Sequence, residues 1–205
     1  MTVLVVGPST RATYERVVPA PFFVQLRFQP GMARDVFKTP LHELANRVVP
    51  VEEIAGAAGM ALLDTLRPSA GDSRRTVSAL EAFLHHRLDR TKPSPSVVLL
   101  RQAVRVLEQR DALTTGIVDL AERLGASERT LRAAFRELVG ISPKRYARIV
   151  RMRRLLESAG TNGWAHLAVD HGFYDQSHLN AEFRALLRVT PSELLARRFP
   201  IAADR

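Results

Sequence analysis

Around residues 127–136 the chain sets Arg129, Arg132 and Arg136, with Glu128 and Ala133, among Leu131, Phe135 and Leu138. Apolar residues three and four apart predict a helix with one buried stripe, which leaves the arginines on an exposed face. An arginine fork can pair bidentately with guanine O6 and N7, each such pair being worth about 1–3 kcal/mol of discrimination. At the corresponding positions 48 residues later stand Gln176, Ser177 and Asn180, on a stretch whose apolar residues are Leu179, Phe183 and Leu187. Glutamine and asparagine suit adenine N6 and N7, so the two stretches predict two different base preferences.

Such side chains need rigid elements beneath them, and the sequence predicts seven short helices after residue 96: 97–110, 116–124, 127–139, 142–159, 164–171, 175–187 and 191–198. Ser127 is the expected N-cap of the third and Gly140 its stop. The second to fourth helices repeat as the fifth to seventh. Leu120, Ala121 and Gly125 match Leu167, Ala168 and Gly172 at an offset of 47, while Leu131, Phe135 and Arg136 match Leu179, Phe183 and Arg184 at 48. Ile141, Ser142 and Pro143 likewise match Val189, Thr190 and Pro191. Each unit is a short helix, a Gly-containing turn and a longer helix, the pattern of a helix-turn-helix. Leu120, Leu124, Leu167, Phe173 and the apolar residues named above are expected in the core, and Trp164 is expected to pack at the start of the fifth helix.

The charge is as uneven as the motifs. The 205 residues carry 30 Lys+Arg against 21 Asp+Glu, a net +9, which points to a polyanionic partner. Residues 123–154 hold ten basic side chains and only Glu128 and Glu137, so +8 falls on one 32-residue stretch. The plain alternative for such a run is a solvated helical face.

In its C-terminal half the chain resembles the AraC/XylS family of bacterial transcription regulators. The resemblance is carried by Leu120-Ala121, Ser127-Glu128-Arg129-Thr130-Leu131-Arg132-Ala133-Ala134-Phe135 and Gly140-Ile141-Ser142-Pro143-Lys144-Arg145-Tyr146. It continues through Arg151-Met152-Arg153-Arg154-Leu155, Gly172-Phe173-Tyr174-Asp175-Gln176-Ser177-His178-Leu179 and Val189-Thr190-Pro191-Ser192, and spans about residues 97–200. It implies two DNA-reading units (116–139 and 164–187) that enter successive major-groove segments of promoter DNA. Base contacts are implied at Arg129 and Arg132 and, through the repeat, at Gln176, Ser177 and Asn180. Phosphate contacts are implied at Ser127, Arg136, Lys144, Arg145, Arg148 and His178. A solvated face remains open for Arg145 and Arg148, as does local packing for His178, while Arg151 is expected to pair with an acidic residue and so orient the units. Ala133 and Ala181 stand where the family often carries Arg, and Arg188 stands where the first unit has Gly140. RNA polymerase is the implied protein partner.

The first 90 residues match more softly. Short strands are expected at 3–6 and 22–28, with 14–18 a further candidate, then helices from Pro40, over 51–66 and from Asp72. Phe22 to Phe28, Pro30-Gly31, Leu41-His42-Glu43-Leu44, Asn46 to Pro50 and Glu52-Glu53 resemble the end of a cupin-like sensor domain, which here looks shortened. A small-molecule effector or a homodimer through this region stays open. Residues 91–96, with Pro93 and Pro95, read as a linker. The expected fold class is therefore mainly α: a small α+β region (partial β-barrel plus helices) over 1–90, then a seven-helix tandem helix-turn-helix domain over 97–200.

Other function classes find little support. No Cys is present, which removes disulfides, thiol nucleophiles and Cys-ligated zinc. No Gly-rich phosphate loop or Ser/His/Asp spacing appears, and His85 and His86 are adjacent, hence point apart on a helix. No enzyme, cofactor or metal is expected. The longest apolar run, residues 54–63, is half of the ~20 a membrane helix needs, so a cytoplasmic protein without a membrane partner is expected. The rival reading is an interaction module that binds a partner regulator or polymerase and touches DNA only non-specifically.

Overall fold

The computed structural model describes residues 2–14, 23–69, 71–88, 93–109, 116–158 and 164–199. The fold is mainly α. In the N-terminal half, β1 (Leu4–Val6) pairs antiparallel with β2 (Val48–Pro50), Val5 facing Val49, and the helices are α1 (Ala33–Phe37), α2 (Val51–Ala55), α3 (Ala57–Leu66) and α4 (Ser73–Arg87). From Ser94 onward come α5 (Pro95–Leu107), α6 (Ile117–Arg123), α7 (Glu128–Leu138), α8 (Pro143–Ser158), α9 (Trp164–Asp170), α10 (Gln176–Leu187) and α11 (Pro191–Leu195).

Three N-terminal expectations need correction. Residues 23–29 form no strand: Phe23 is exposed and Phe28 turns onto Phe37, ring centroids 5.6 Å apart, while β1 takes β2 as its partner instead. The helix expected from Pro40 is a single 3-10 stretch, Leu41–Leu44. It ends because Asn46 takes a left-handed conformation (φ 60°) and its side-chain oxygen accepts from Thr10 N and Oγ1, which sends Val48 and Val49 into β2. The helix expected over 51–66 is broken at Gly56 (φ 54°, ψ −131°) into α2 and α3. Of the candidate strand at 14–18, Tyr14 lies in irregular chain and 15–18 lie outside the described residues. By contrast α4 begins where expected, with the Asp72 carboxylate accepting from Arg75 N.

The C-terminal half contains two cores. Leu100, Val104 and Leu107 of α5 close over Leu120, Leu131, Phe135 and Leu138; separately, Met152 and Leu155 of α8 pack with Leu167, Phe173, Leu179, Phe183 and Leu186. Leu187, expected in that second core, packs against it half-buried, and a buried Leu186 joins it. α8 belongs to both, giving Tyr146 and Ala147 to the first and Ile149, Met152, Leu155 and Leu156 to the second.

The N-terminal half is docked on this pair. Arg34 reaches Glu137 of α7 at 3.0 Å, and the 3-10 stretch lies against the end of α7. Gly140 makes that approach possible: at φ 86°, a Cβ there would stand 2.5 Å from the Leu41 carbonyl oxygen and from Pro8. Gly140→Ala is therefore expected to cost about 2–4 kcal/mol, adding left-handed strain to overpacking against backbone. Gly125→Ala, at φ 64° with nothing within 4 Å of its Cβ, is expected to cost only the conformational part, about 1–2 kcal/mol. Urea unfolding of both variants checks this, and equal losses would remove the close approach as the cause.

Candidate nucleic-acid interface

The two units match in their caps, turn bonds and buried positions. Ser127 caps α7 through Thr130 N (3.0 Å), and Asp175 caps α10 through His178 N (2.6 Å). The turns close on equivalent backbone bonds, Ala126 N to Ala121 O (3.0 Å) and Phe173 N to Ala168 O (2.9 Å), with Gly125 and Gly172 both at positive φ. Leu120 and Leu167, Ala121 and Ala168, Leu131 and Leu179, Phe135 and Phe183 are buried in both units. Because the buried stripe is fixed, the remaining face of each second helix is fixed too. On α7 that face shows Arg129, Arg132, Ala133 and Arg136, and on α10 it shows Gln176, Ser177 and Ala181, with Asn180 half-buried.

The cations of these elements fall into two sets. Arg129, Arg136 and Lys144 are exposed, and no carboxylate among the described residues lies within ion-pair distance of them. Arg132 gives Nε and Nη2 to Glu128 Oε1 one turn away (2.9 and 2.5 Å) on open surface. Three arginines of α8, Arg145, Arg148 and Arg151, are turned inward. Arg148 donates to Glu182 Oε2 at 2.9 Å and so ties α8 to α10. Arg145 donates to the Thr10 carbonyl at 2.5 Å, and its Nε is buried without a hydrogen-bond partner. Burial, then the charges of Arg148 and Arg11, push its guanidinium below the ordinary value, with Glu182 acting the other way. Arg151 donates to the Gly172 carbonyl (3.3 Å) and stands over the Phe173 ring (5.6 Å). The ion pair expected of Arg151 between the units is thus made by Arg148.

Ser127 and His178 have local duties. The Ser127 hydroxyl shares a contact with Thr130 Oγ1 (2.8 Å), and His178 Nδ1 accepts from Tyr174 N (3.2 Å) beside the Phe173 ring. Two exposed residues escaped the sequence-based set. Arg184 sits on α10 where Arg136 sits on α7, a match the 48-residue offset already contained. Tyr174, 89% exposed at the mouth of the second turn, has no such signal because the first unit lacks an aromatic there. Trp164 packs edge-on to Phe183 at 5.3 Å, as expected.

Two helix-turn-helix arrangements joined by α8, each with a capped and exposed second helix, define a helix-turn-helix domain. Residues 120–197 match the family model described as "Helix-turn-helix domain". Over 121 residues the chain is 29% identical to a protein of Rhodococcus erythropolis named "Probable thc operon regulatory protein", covering 56% of this chain and 36% of that relative. The chain thus spans little more than a third of the relative it matches. No solved structure matches it. Among the described residues no helix is long and apolar enough to cross a membrane.

Proposed function

We propose that the chain is a sequence-specific, DNA-binding transcription regulator that reads two successive major-groove segments, the first with α7 and the second with α10. The carrying observation is the duplication itself: two units with the same caps, turn bonds and buried positions, held at one spacing by α8 and the Arg148–Glu182 pair. With 16 residues, α8 is about 24 Å long, a length suited to placing two helices in major grooves roughly 34 Å apart on one DNA face. In this reading Arg129 and Arg132 read bases in one half-site, and Gln176, Ser177 and Asn180 read them in the other. Phosphates are held by Arg136, Lys144 and the capped helix starts at Ser127 and His178, while Arg148 ties the two units together through Glu182 and Arg145 binds the Thr10 carbonyl.

The division of the chain into a sensor-like region (1–90), a linker (91–96) and a reader (97–200) belongs to the same proposal, although Pro95 and Ser96 of that linker already open α5, with Ser94 as its N-cap. So do promoter DNA and RNA polymerase as partners in the cytoplasm, and an effector or second copy met through the N-terminal half. An apolar cavity of about 480 Å³ there, lined by Phe28, Phe37, Leu62 and Phe83 among others, is of ligand size. The rival, an interaction module with only non-specific DNA affinity, draws on the exposed Ala133 and Ala181, which offer a base edge no hydrogen bond.

Fluorescence anisotropy on labelled duplexes across a salt series separates the two. A regulator shows both a steep salt slope and a selected sequence bound far above random duplex, whereas a module shows the slope alone. The slope also sorts the cations. Arg136→Gln and Lys144→Gln should each flatten it by about 0.9, one phosphate contact apiece. Arg148→Gln should leave the slope and lower the melting temperature. A slope lost equally with Arg148 would return that residue to the DNA face.

A further inference from the structure

Residues 7–14 run as a strap across the far ends of the reading helices. Gly7 N donates to the Arg47 carbonyl (2.9 Å), Asn46 N to the Pro8 carbonyl (3.0 Å), and Ala12 N to the Leu186 carbonyl at the end of α10 (2.7 Å). Tyr14 adds its hydroxyl to the Leu187 carbonyl (2.7 Å). Between the strap, the start of α8 and the end of α10 lies a cleft of about 520 Å³. Arg11, Arg47, Arg145 and Arg188 line it with Ser9, Thr10, Thr13 and Asn46, and no carboxylate does.

Four guanidinium groups around one cavity repel each other, and an anion among them would relieve that repulsion. The nearest acid acting on Arg145 is Glu182, which is already committed to Arg148 and does not line the cleft. Among the described residues, Arg11 and Arg188 have no ion-pair partner within 4.0 Å, and Arg145 keeps a buried, unbonded Nε. Arg188 is held there by backbone: it caps α10 in the left-handed conformation (φ 60°), where the first unit uses Gly140. The negative end of α10 does not compete, since its Leu186 and Leu187 carbonyls are occupied by Ala12 and Tyr14. Planar, charged forks are the side chains best shaped for carboxylate and phosphate oxygens, and the volume suits a small metabolite.

We infer that this cleft is a binding site for a small multivalent oxyanion, a polycarboxylate or a phosphorylated metabolite, held by Arg11, Arg47, Arg145 and Arg188. DNA phosphate shares that chemistry. A helix-turn-helix reads with the N-terminal residues of its second helix, however, and the cleft sits at the C-terminal end of α10, about 18 Å along its axis from Gln176. A bound anion would bridge the strap and α8 to the end of the second reading helix, and so couple the N-terminal half to the spacing of the units. This deepens the regulator reading by giving it a class of effector.

The test is calorimetric titration of the whole chain, without DNA, with citrate and with pyrophosphate at fixed ionic strength. One equivalent of at least one anion should bind. The Arg11→Gln/Arg188→Gln variant, which alters two exposed side chains, should weaken it at least about tenfold through loss of two charge-assisted contacts. The Arg129→Gln/Arg132→Gln variant should bind the anion as the wild type does. No binding of either anion, binding that survives the cleft variant, or binding lost with the α7 variant overturns the inference. A further arm addresses the DNA backbone: if the cleft variant flattens the salt slope of duplex binding in anion-free buffer, the cleft holds a DNA phosphate and the effector site is refuted. Failure of the titration leaves DNA reading untouched, because no DNA is present.

Discussion

Phe183→Ala should unfold the second helix-turn-helix unit while the first remains folded. Phe183 is fully buried, with Trp164 edge-on against it and Leu179, Met152 and Leu155 in the same core. Truncating such a ring removes its burial and leaves a cavity that neighbours fill only in part, a loss of about 3–5 kcal/mol. That is a large fraction of what holds a domain of this size. The loss should stay local because the cores are separate: Phe135 and Leu131 close on α5 and on Tyr146 at the start of α8, and share none of the Phe183 contacts. Hydrogen exchange should show protection collapsing over 164–195 and persisting over 95–138. A footprint on a selected site should shrink to one half-site. Loss of protection across both units at once would mean that α8 makes them a single cooperative body.

Phe135→Ala should behave differently although the substitution is the same. The end of α7 also carries the docked N-terminal half, through the 3-10 stretch at Leu41–Leu44 and the Arg34–Glu137 pair. Disturbing the first core therefore also loosens the region with which the chain would sense, whereas the second core meets that region, among the described residues, through the strap.

The sequence disclosed what depends on short-range pattern. The cap at Ser127, the start of α4 near Asp72 and the buried stripes of α7 and α10 follow from residues within one or two turns of each other, and the repeat is a copy of that local pattern. Even the exposed Arg184 was present in the repeat for the taking. What stayed hidden depends on partners far along the chain. Arg145 and Arg148 read as a basic helical face, and only tertiary structure brings Thr10, 135 residues away, to the first and Glu182, 34 residues away, to the second. In the N-terminal half, the stretch from Leu41 to Val49 has helical spacing that loses to the pairing of β2 with β1, secured by Asn46 reaching back to Thr10. A two-stranded ribbon is worth little by itself, so no local signal announces it. Gly140 shows the mixture: its stop signal for α7 was legible, but its second duty, making room for Leu41 and Pro8, was not.

Arg132→Ala and Asn180→Ala should each relax base preference in a different half of the selected site. The Glu128–Arg132 pair decides how large the first effect is. It lies on open surface, with the two side chains 40% and 56% exposed, and such pairs are worth roughly 0.2–1 kcal/mol. A bidentate contact to guanine is worth about 1–3 kcal/mol, so in the proposed reading Arg132 would gain by leaving Glu128 for the base. Arg132→Ala should then lose about 5- to 150-fold of preference at its guanine. Glu128→Gln should raise affinity for all duplexes alike, because an acid beside the phosphates is removed while the reading arginine stays. Among the described residues Asn180 has no competing partner of this kind, and Asn180→Ala should relax one adenine position without changing the salt slope. Selection from random duplex reads all three variants at once. If Arg132→Ala and Asn180→Ala return the wild-type sequence in both halves, α7 and α10 do not read bases with these side chains. If both blur the same half, the two units do not divide the site between them.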